Sequence, residues 1–350
     1  MILSIDTSAD DTSVAVTQGR RVISHVEFSQ ISLHQKWGGI FPTVAKRAHK
    51  ERIDGVVEIA LKKAKTYAGS YNDIIKHIDA IAVTQGPGLA PALEVGIRKA
   101  VSLAKHFHKP LIAVNHMEGH IYSCFAQNRA GNPERVIRFP YLALLVSGGH
   151  TELVILRDHL SYEVIGATKD DAVGEALDKA ARMLGFGYPG GPIFERLAAE
   201  VGNVDVFNFP RPMMYTKDLD FSYSGLKTSF LYFLRKLPEE EHIANLQKLA
   251  SSFQEAAFAP LVKKTEDAMK QYNITSILVG GGVAVNKRLR NLMRAMVRKH
   301  KGAVYFPPAR YLNNDNAAMI GIVADYKCEK KLVIDPTAID RRPRWSLRDL

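Results

Sequence analysis

Two stretches of this chain have the same build, and their spacing constrains the fold more than any other feature. Residues 2–16 run as an apolar ILSI, a polar turn DTSADDTS and an apolar VAV. Residues 141–156 repeat that order as YLALLV, SGGHT and ELVIL. A tight polar turn between two β-rich runs is a hairpin signal. Its recurrence about 140 residues later points to a duplicated lobe. A length of 350 residues agrees, because a single hydrophobic core stops growing beyond ~250–300 residues.

Each half then alternates apolar strands with helix-like stretches. In the first, Ile81-Ala82-Val83-Thr84 ends in Gln85-Gly86-Pro87-Gly88, ahead of a helix expected over residues 91–105. A strand at residues 111–114 follows, then a helix carrying His116 and His120. In the second half, residues 170–184 are amphipathic, with acidic residues where the first helical turn favours them. Ile277-Leu278-Val279 runs into Gly280-Gly281-Gly282 and a basic helix ending near residue 299. This alternation predicts α/β layers with largely parallel central strands, and such folds collect ligands at strand carboxyl ends. The expected organisation is a first lobe over 1–130, a second over 131–314, and a helix at about 315–330 packing back on the first. A basic tail at 331–350 completes it, and residues 128–133, polar with Gly and Pro, are the expected hinge.

Charge narrows the partner. Forty-seven Lys and Arg against 36 Asp and Glu leave +11, which favours a polyanion by steering and counterion release. The basic residues gather late, at Lys287, Arg288 and Arg290, at Arg298 to Lys301, and at Arg341, Arg342 and Arg344. Each cluster alone also fits a solvated helix face or polar tail; together with the net charge they favour nucleic acid. No apolar run approaches the roughly 20 residues of a membrane span. Met1 to Ile5 reads as a buried strand rather than a targeting segment. Two cysteines, Cys124 and Cys328, supply neither a disulfide framework nor a four-cysteine zinc site. A cytoplasmic protein is expected.

Three constellations carry chemistry. His116 and His120 stand four apart, so one helix face presents both imidazoles to one ion. Glu118 lies between them, offset from the position a zinc-protease H-E-x-x-H base would occupy. Asp315, in the polar run Asn313-Asn314-Asp315-Asn316 before an apolar helix, suits either an N-cap or a metal ligand. Secondly, Ser147-Gly148-Gly149-His150-Thr151, Gly190-Gly191-Pro192, Gly280-Gly281-Gly282 and Gly86-Pro87-Gly88 offer bare backbone N–H groups to an anion, and a nucleotide site is the economical reading. Thirdly, Asp6, Asp10 and Asp11 crowd the first turn, while Asp178 and Glu195 lie near the second lobe's glycines. Asp178 falls eight residues after Asp170, on one face of the expected helix. Asp10 and Asp11 would orient a nucleophile or take its proton, or else stabilise the turn.

An ordered series of segments resembles one family closely. They are IDTSADDTSVAV, GGIFPTVAKRAH, TQGPGLAPALEVG, VNHMEGH, LLVSGGHTELV, TKDDAVGEALDKAARMLGFGYPGGP, DFSYSGLKTSF, SFQEA, GGGVAVNKRLR and NDNAAMIG. The chain is similar to the tRNA threonylcarbamoyladenosine transferases, the TsaD family, once labelled O-sialoglycoprotein endopeptidases. The tail RRPRWSL resembles the bacterial and organellar branch, and bacterial is preferred. The resemblance implies a two-lobed, actin-like α/β fold with duplicated β-sheet and helix lobes and a central cleft. It implies transfer of a threonylcarbamoyl group from threonylcarbamoyl-AMP to N6 of adenosine 37 in tRNAs reading ANN codons. It assigns the metal to His116, His120 and Asp315, as one divalent ion per subunit, Fe2+ first and Zn2+ or Mg2+ as alternatives. It assigns the adenylate to Leu145, Val146, Ser147, Gly148 and Gly149, with Asp178, Gly191, Glu195 and Asn286. It implies the anticodon arm of tRNA as partner, with a degenerate paralogous subunit (TsaB-like) and a small ATPase (TsaE-like), or a homodimer. Asp10 or Asp11 is then the catalytic carboxylate. Ala9 stands where the family commonly has Cys, Asp11 where it has Glu, and Asn313-Asn314 where it has Cys-Thr. A metalloprotease, or an ATPase or kinase of the same superfamily, is the alternative function.

Overall fold

The computed structural model describes residues 1–68 and 71–350, and they form two compact units. One comprises Met1–Arg138, Asp158–Tyr162 and Pro307–Leu350; the other comprises Phe139–Arg157 and Glu163–Phe306.

The first unit opens with strands β1 (Ile2–Asp6), β2 (Asp11–Gln18) and β3 (Arg21–Ser29), then α1 (Ile31–His34), α2 (Pro42–Ala68) and α3 (Tyr71–His77). It continues through β4 (Ala80–Gly86), α4 (Ala90–Phe107), β5 (Leu111–Asn115) and α5 (His116–Tyr122). The second begins with β6 (Tyr141–Val146), β7 (Thr151–Asp158) and β8 (Ser161–Ala167). Helices α6 (Val173–Met183), α7 (Gly191–Glu200), α8 (Ser224–Lys236), α9 (Glu239–Ala244) and α10 (Leu246–Tyr272) follow. Strands β9 (Ser276–Gly280) and β10 (Ala303–Tyr305) flank α11 (Lys287–Lys299), and α12 (Ala317–Glu329) belongs to the first unit.

The sheet orders are β3-β2-β1-β4-β5 and β8-β7-β6-β9-β10, so the second repeats the first strand for strand. The duplicated motif is the cause. Each polar turn closes an antiparallel hairpin, β1 with β2 and β6 with β7. The strands reached through helices pair in parallel, β1 with β4 and β4 with β5, β6 with β9 and β9 with β10, because parallel neighbours need a crossover. The sheets are therefore mixed, where the alternation alone suggested mostly parallel strands.

In the first unit Leu3 and Ile5 of β1 join Val14 and Val16 of β2 in one core, with Val57, Leu61, Leu93 and Ala100 from α2 and α4. The opposite face is where α12 packs: Ser4 Oγ donates to Ala317 O at 2.6 Å. A Cβ on Gly321 of α12 would meet Thr17 Oγ1 at 2.5 Å, so glycine there lets helix and sheet approach. In the second unit Leu142, Leu144 and Val146 of β6 meet Phe194, Phe230, Phe253 and Phe258 from the helices.

Three expectations shift. Helix α6 starts at Val173, not near Asp170. Asp170 instead accepts from the N–H groups of Tyr223 and Ser224 and from both Ser222 and Ser224 hydroxyls, serving the start of α8. Asp170 and Asp178 therefore share no helical face. The Gly86-Pro87-Gly88 turn is not a ligand loop: a Cβ on Gly86 would meet Arg342 O at 1.8 Å, and Gly88 N donates to Pro343 O. The tail that reads as solvated is docked there, with Arg342 N bonded to Gln85 O and Trp345 and Leu347 buried. Among the described residues no helix is long and apolar enough to cross a membrane.

Candidate functional site

Helix α5 begins with a capping box. Asn115 Oδ1 accepts from Met117 N, and Glu118 Oε2 accepts from Asn115 N at 3.0 Å, which fixes the first turn at the end of β5. His116 and His120 consequently stack one turn apart, ring centroids 4.7 Å and planes 80° from each other. Asp315 reaches them from the segment before α12: its Oδ1 lies 3.1 Å from His116 Nε2 and 3.5 Å from His120 Nε2. The N-cap of α12 is Asn316, which accepts from Met319 N at 2.9 Å. Asp315 is thus not the cap, and its carboxylate faces the two histidines.

One donor atom from each of His116, His120 and Asp315 lies within 4.8 Å of the others. His116 Nδ1 and both ring nitrogens of His120 are buried without a hydrogen-bond partner. Orphaned donors of this kind carry a desolvation cost that a cation offsets, so the residues fit a metal. Burial opposes charge on His116, yet Asp315 and Asp6 outweigh it and push the imidazole up to about 10. Burial pushes His120 down. Burial also penalises the Asp315 carboxylate, but His116 and His120 hold it far below the usual range.

Beside this cluster stand carboxylates. Asp11, 8% exposed, is pushed up to about 8 by burial, then by Asp10 and Glu27. Glu27, facing Ser13 across the β2–β3 register, is lifted to about 7 by burial and then by Asp315, Asp10 and Asp6. Sequence reasoning missed Glu27, because only the hairpin register brings it there. Glu118 is fully engaged: besides Asn115 N it accepts from Tyr162 Oη at 2.9 Å and pairs with Lys327 Nζ at 2.7 Å. Buried and tied to three partners, this carboxylate is committed to holding α5 rather than to activating water, which argues against the protease reading.

The second unit carries the predicted adenylate residues. Leu145 and Val146 are fully buried strand residues, able to present backbone only. In the turn that follows, Ser147 Oγ accepts from the N–H of Gly149 and of His150. Two of the donors read as bare are therefore engaged. Around exposed Gly148 and Gly149 a Cβ would meet nothing within 4 Å, so glycine there leaves open space. Asp178 Oδ1 accepts from Gly190 N at 2.7 Å and Gly191 N at 3.3 Å, tying α6 to the start of α7. Burial raises the Asp178 carboxyl. Glu195 Oε1 accepts from Lys287 N, and Asn286 Oδ1 accepts from Leu289 N while its Nδ2 donates to Gln254 Oε1. These four residues thus form a scaffold around the starts of α7 and α11, and β6 and β9 end side by side, Leu145 opposite Gly280.

Two units of one strand order define an actin-like α/β protein, here with a histidine–aspartate cluster of metal-binding type. The chain belongs to the TsaD family, the tRNA N6-adenosine threonylcarbamoyltransferases, whose profile matches residues 21–322. A relative of that name from Kosmotoga olearia is 42% identical over 349 residues, covering 100% of this chain and 99% of its own. One from Clostridium kluyveri is 46% identical over 328 residues, covering 93% and 92%. The solved structure of T. kodakarensis HypF superposes with a TM-score of 0.60 at 13% identity, over 94% of this chain and 48% of that one. That likeness concerns the fold.

Proposed function

We propose that this chain transfers a threonylcarbamoyl group from threonylcarbamoyl-AMP to N6 of adenosine 37 in tRNAs reading ANN codons. The observation that carries the reading is the His116–His120–Asp315 cluster with Asp11 beside it, in a chain of this family. The nucleophile is a weakly basic aromatic amine, so its proton must leave as the new N–C bond forms. A buried carboxyl raised to about 8 is, in its ionised form, a stronger base than a free carboxylate, and that form gains population as pH rises toward 8. Asp11 accepts the N6 proton while the bond from the carbamoyl carbon to the phosphate oxygen breaks and AMP departs. Burial, and then Asp10 next to it, keeps its pKa high.

His116, His120 and Asp315 would hold one divalent cation. Two imidazoles and a carboxylate suit Fe2+ or Zn2+ better than Mg2+. When bound, such an ion supplies Lewis-acid polarisation of the carbamoyl carbonyl. The adenylate role falls to the Ser147–Gly148–Gly149 turn, whose glycines leave room for it, with Asp178, Gly191, Glu195 and Asn286 shaping the surroundings. Partner chains, a degenerate paralogue with a small ATPase or a second copy of this chain, are assigned on the family alone, as is a cytoplasmic setting.

The test is transfer from purified threonylcarbamoyl-AMP to an unmodified tRNA, with and without cell extract, read by nucleoside mass. Formation of the threonylcarbamoyl nucleoside, lost with a chelator and restored by a divalent ion, is expected. No transfer under either condition, or peptide hydrolysis instead, sinks the proposal.

A further inference from the structure

We infer that Asp6 is a positioning residue for the cation site: it takes the Nδ1–H of His116 and so commits Nε2 of that ring to the metal. The inference rests on the metal reading above and extends it to a residue outside the ligand set. The Nε2 atoms of His116 and His120 face the same oxygen, Asp315 Oδ1, at 3.1 and 3.5 Å. The other nitrogen of His116, Nδ1, lies 3.6 Å from Asp6 Oδ2. Both of these atoms are buried, and neither has a hydrogen-bond partner. Asp6 is itself fully buried at the end of β1, and its Oδ1 is held by Ser8 N at 3.2 Å.

A neutral imidazole has one N–H and one lone pair, and the partner of the N–H decides which nitrogen can bind a metal. At 3.6 Å the Asp6–His116 contact is within ion-pair reach but longer than a hydrogen bond. A tilt of the ring closes it, and a cation on Nε2 favours that tilt by making Nδ1–H a stronger donor. His120 has no equivalent: its Nδ1 is buried with no hydrogen-bond partner among the described residues. The two histidines are therefore unequal ligands, and His116 is the oriented one.

The experiment titrates the full chain with Co2+ as the probe, by calorimetry and visible absorption, for the native protein and the isosteric Asp6→Asn variant. Affinity is expected to fall roughly 10–100-fold in the variant, with the metal-free melting temperature kept. A change under about threefold overturns the inference. Nitrogen-15 spectra of the native Zn2+-loaded protein give an independent readout should the variant not fold. His116 is expected protonated at Nδ1 and metal-bound at Nε2; the reverse overturns the inference. A native chain that binds no Co2+ overturns the metal reading as well, whereas binding unaffected by Asp6→Asn overturns this inference alone.

Discussion

Asp11 is buried among like charges, and that has consequences for stability as well as for chemistry. Burial and then Asp10 and Glu27 lift its carboxyl from 3.8 to about 8 in the metal-free chain, against the lowering hydrogen bond from Ser29. Between those values the folded state holds a proton that the unfolded state has lost. Stability must then fall as pH rises from about 4 toward 8. Asp11→Asn removes the penalty, so the metal-free variant is expected to melt above the native chain at pH 8 and level with it near pH 3. Its transfer rate is expected to drop ~10²–10⁴-fold. Melting curves that stay level at pH 8 would contradict the burial argument. His116 yields a second expectation. With its proton held up to about 10 by Asp315 and Asp6 against burial, metal binding must displace that proton. Calorimetry in buffers of different ionisation enthalpy should register about one proton released per ion, and a pH-independent affinity would speak against a ligand role. Of these groups, the sequence exposes Asp10, Asp11, His116 and His120 through spacing within one turn or helix. It leaves Glu27 hidden, because its place depends on which residue of β2 it faces.

Among the elements, α5 and α12 bring the ligands together although nearly 200 residues separate them; His116 and Asp315 are 199 apart. The lock between them is the Glu118–Lys327 pair, with 1% and 8% of the side chains exposed, and Lys327 Nζ also donates to Ala113 O. Glu118 thus serves the site by holding α5 in place rather than by acting on water. Lys327→Met is expected to lower stability by ~3–5 kcal/mol, since it leaves a buried carboxylate without its cation. Denaturant unfolding with unchanged midpoint would show that Tyr162 and Asn115 suffice to hold Glu118. Element boundaries were the least legible part of the chain. Asp170 reads as the first turn of a helix and Asp315 as a possible cap, but Asp170 lies ahead of α6 and serves the start of α8, and Asn316 takes the cap that Asp315 leaves. The Gly86–Gly88 turn looked like an anion loop because glycine serves close approach of any backbone, and here the approaching backbone is Arg342 and Pro343.

For the whole molecule the duplication was legible because each hairpin repeats both its apolar runs and its polar turn, and strand order followed from it. The return of residues 307–350 to the first unit was less so, because it rests on long-range contacts such as Ile334 N to Leu111 O and Asn115 Nδ2 to Trp345 O. Net charge has the same limit: +11 favours a polyanion, but composition does not say which cations remain available to it. The ion pairs do. Arg288 makes a two-point contact with Glu255 at 2.7 Å for each bond, and Arg290 bonds Ala284 O while lying over the Phe306 ring. Arg298 and Lys299, exposed at the end of α11, make no ion pair among the described residues. A phosphate contact contributes about one unit to the slope of log affinity against log salt, and an arginine already neutralised by a carboxylate contributes little. Arg298→Gln is therefore expected to reduce the salt slope of tRNA binding by about one. Arg288→Gln should leave that slope unchanged and instead lower the melting temperature. The check is a filter-binding series from low to physiological salt for both variants. Should Arg288→Gln flatten the slope and Arg298→Gln not, the RNA must meet a different face of the second unit from the one α11 exposes.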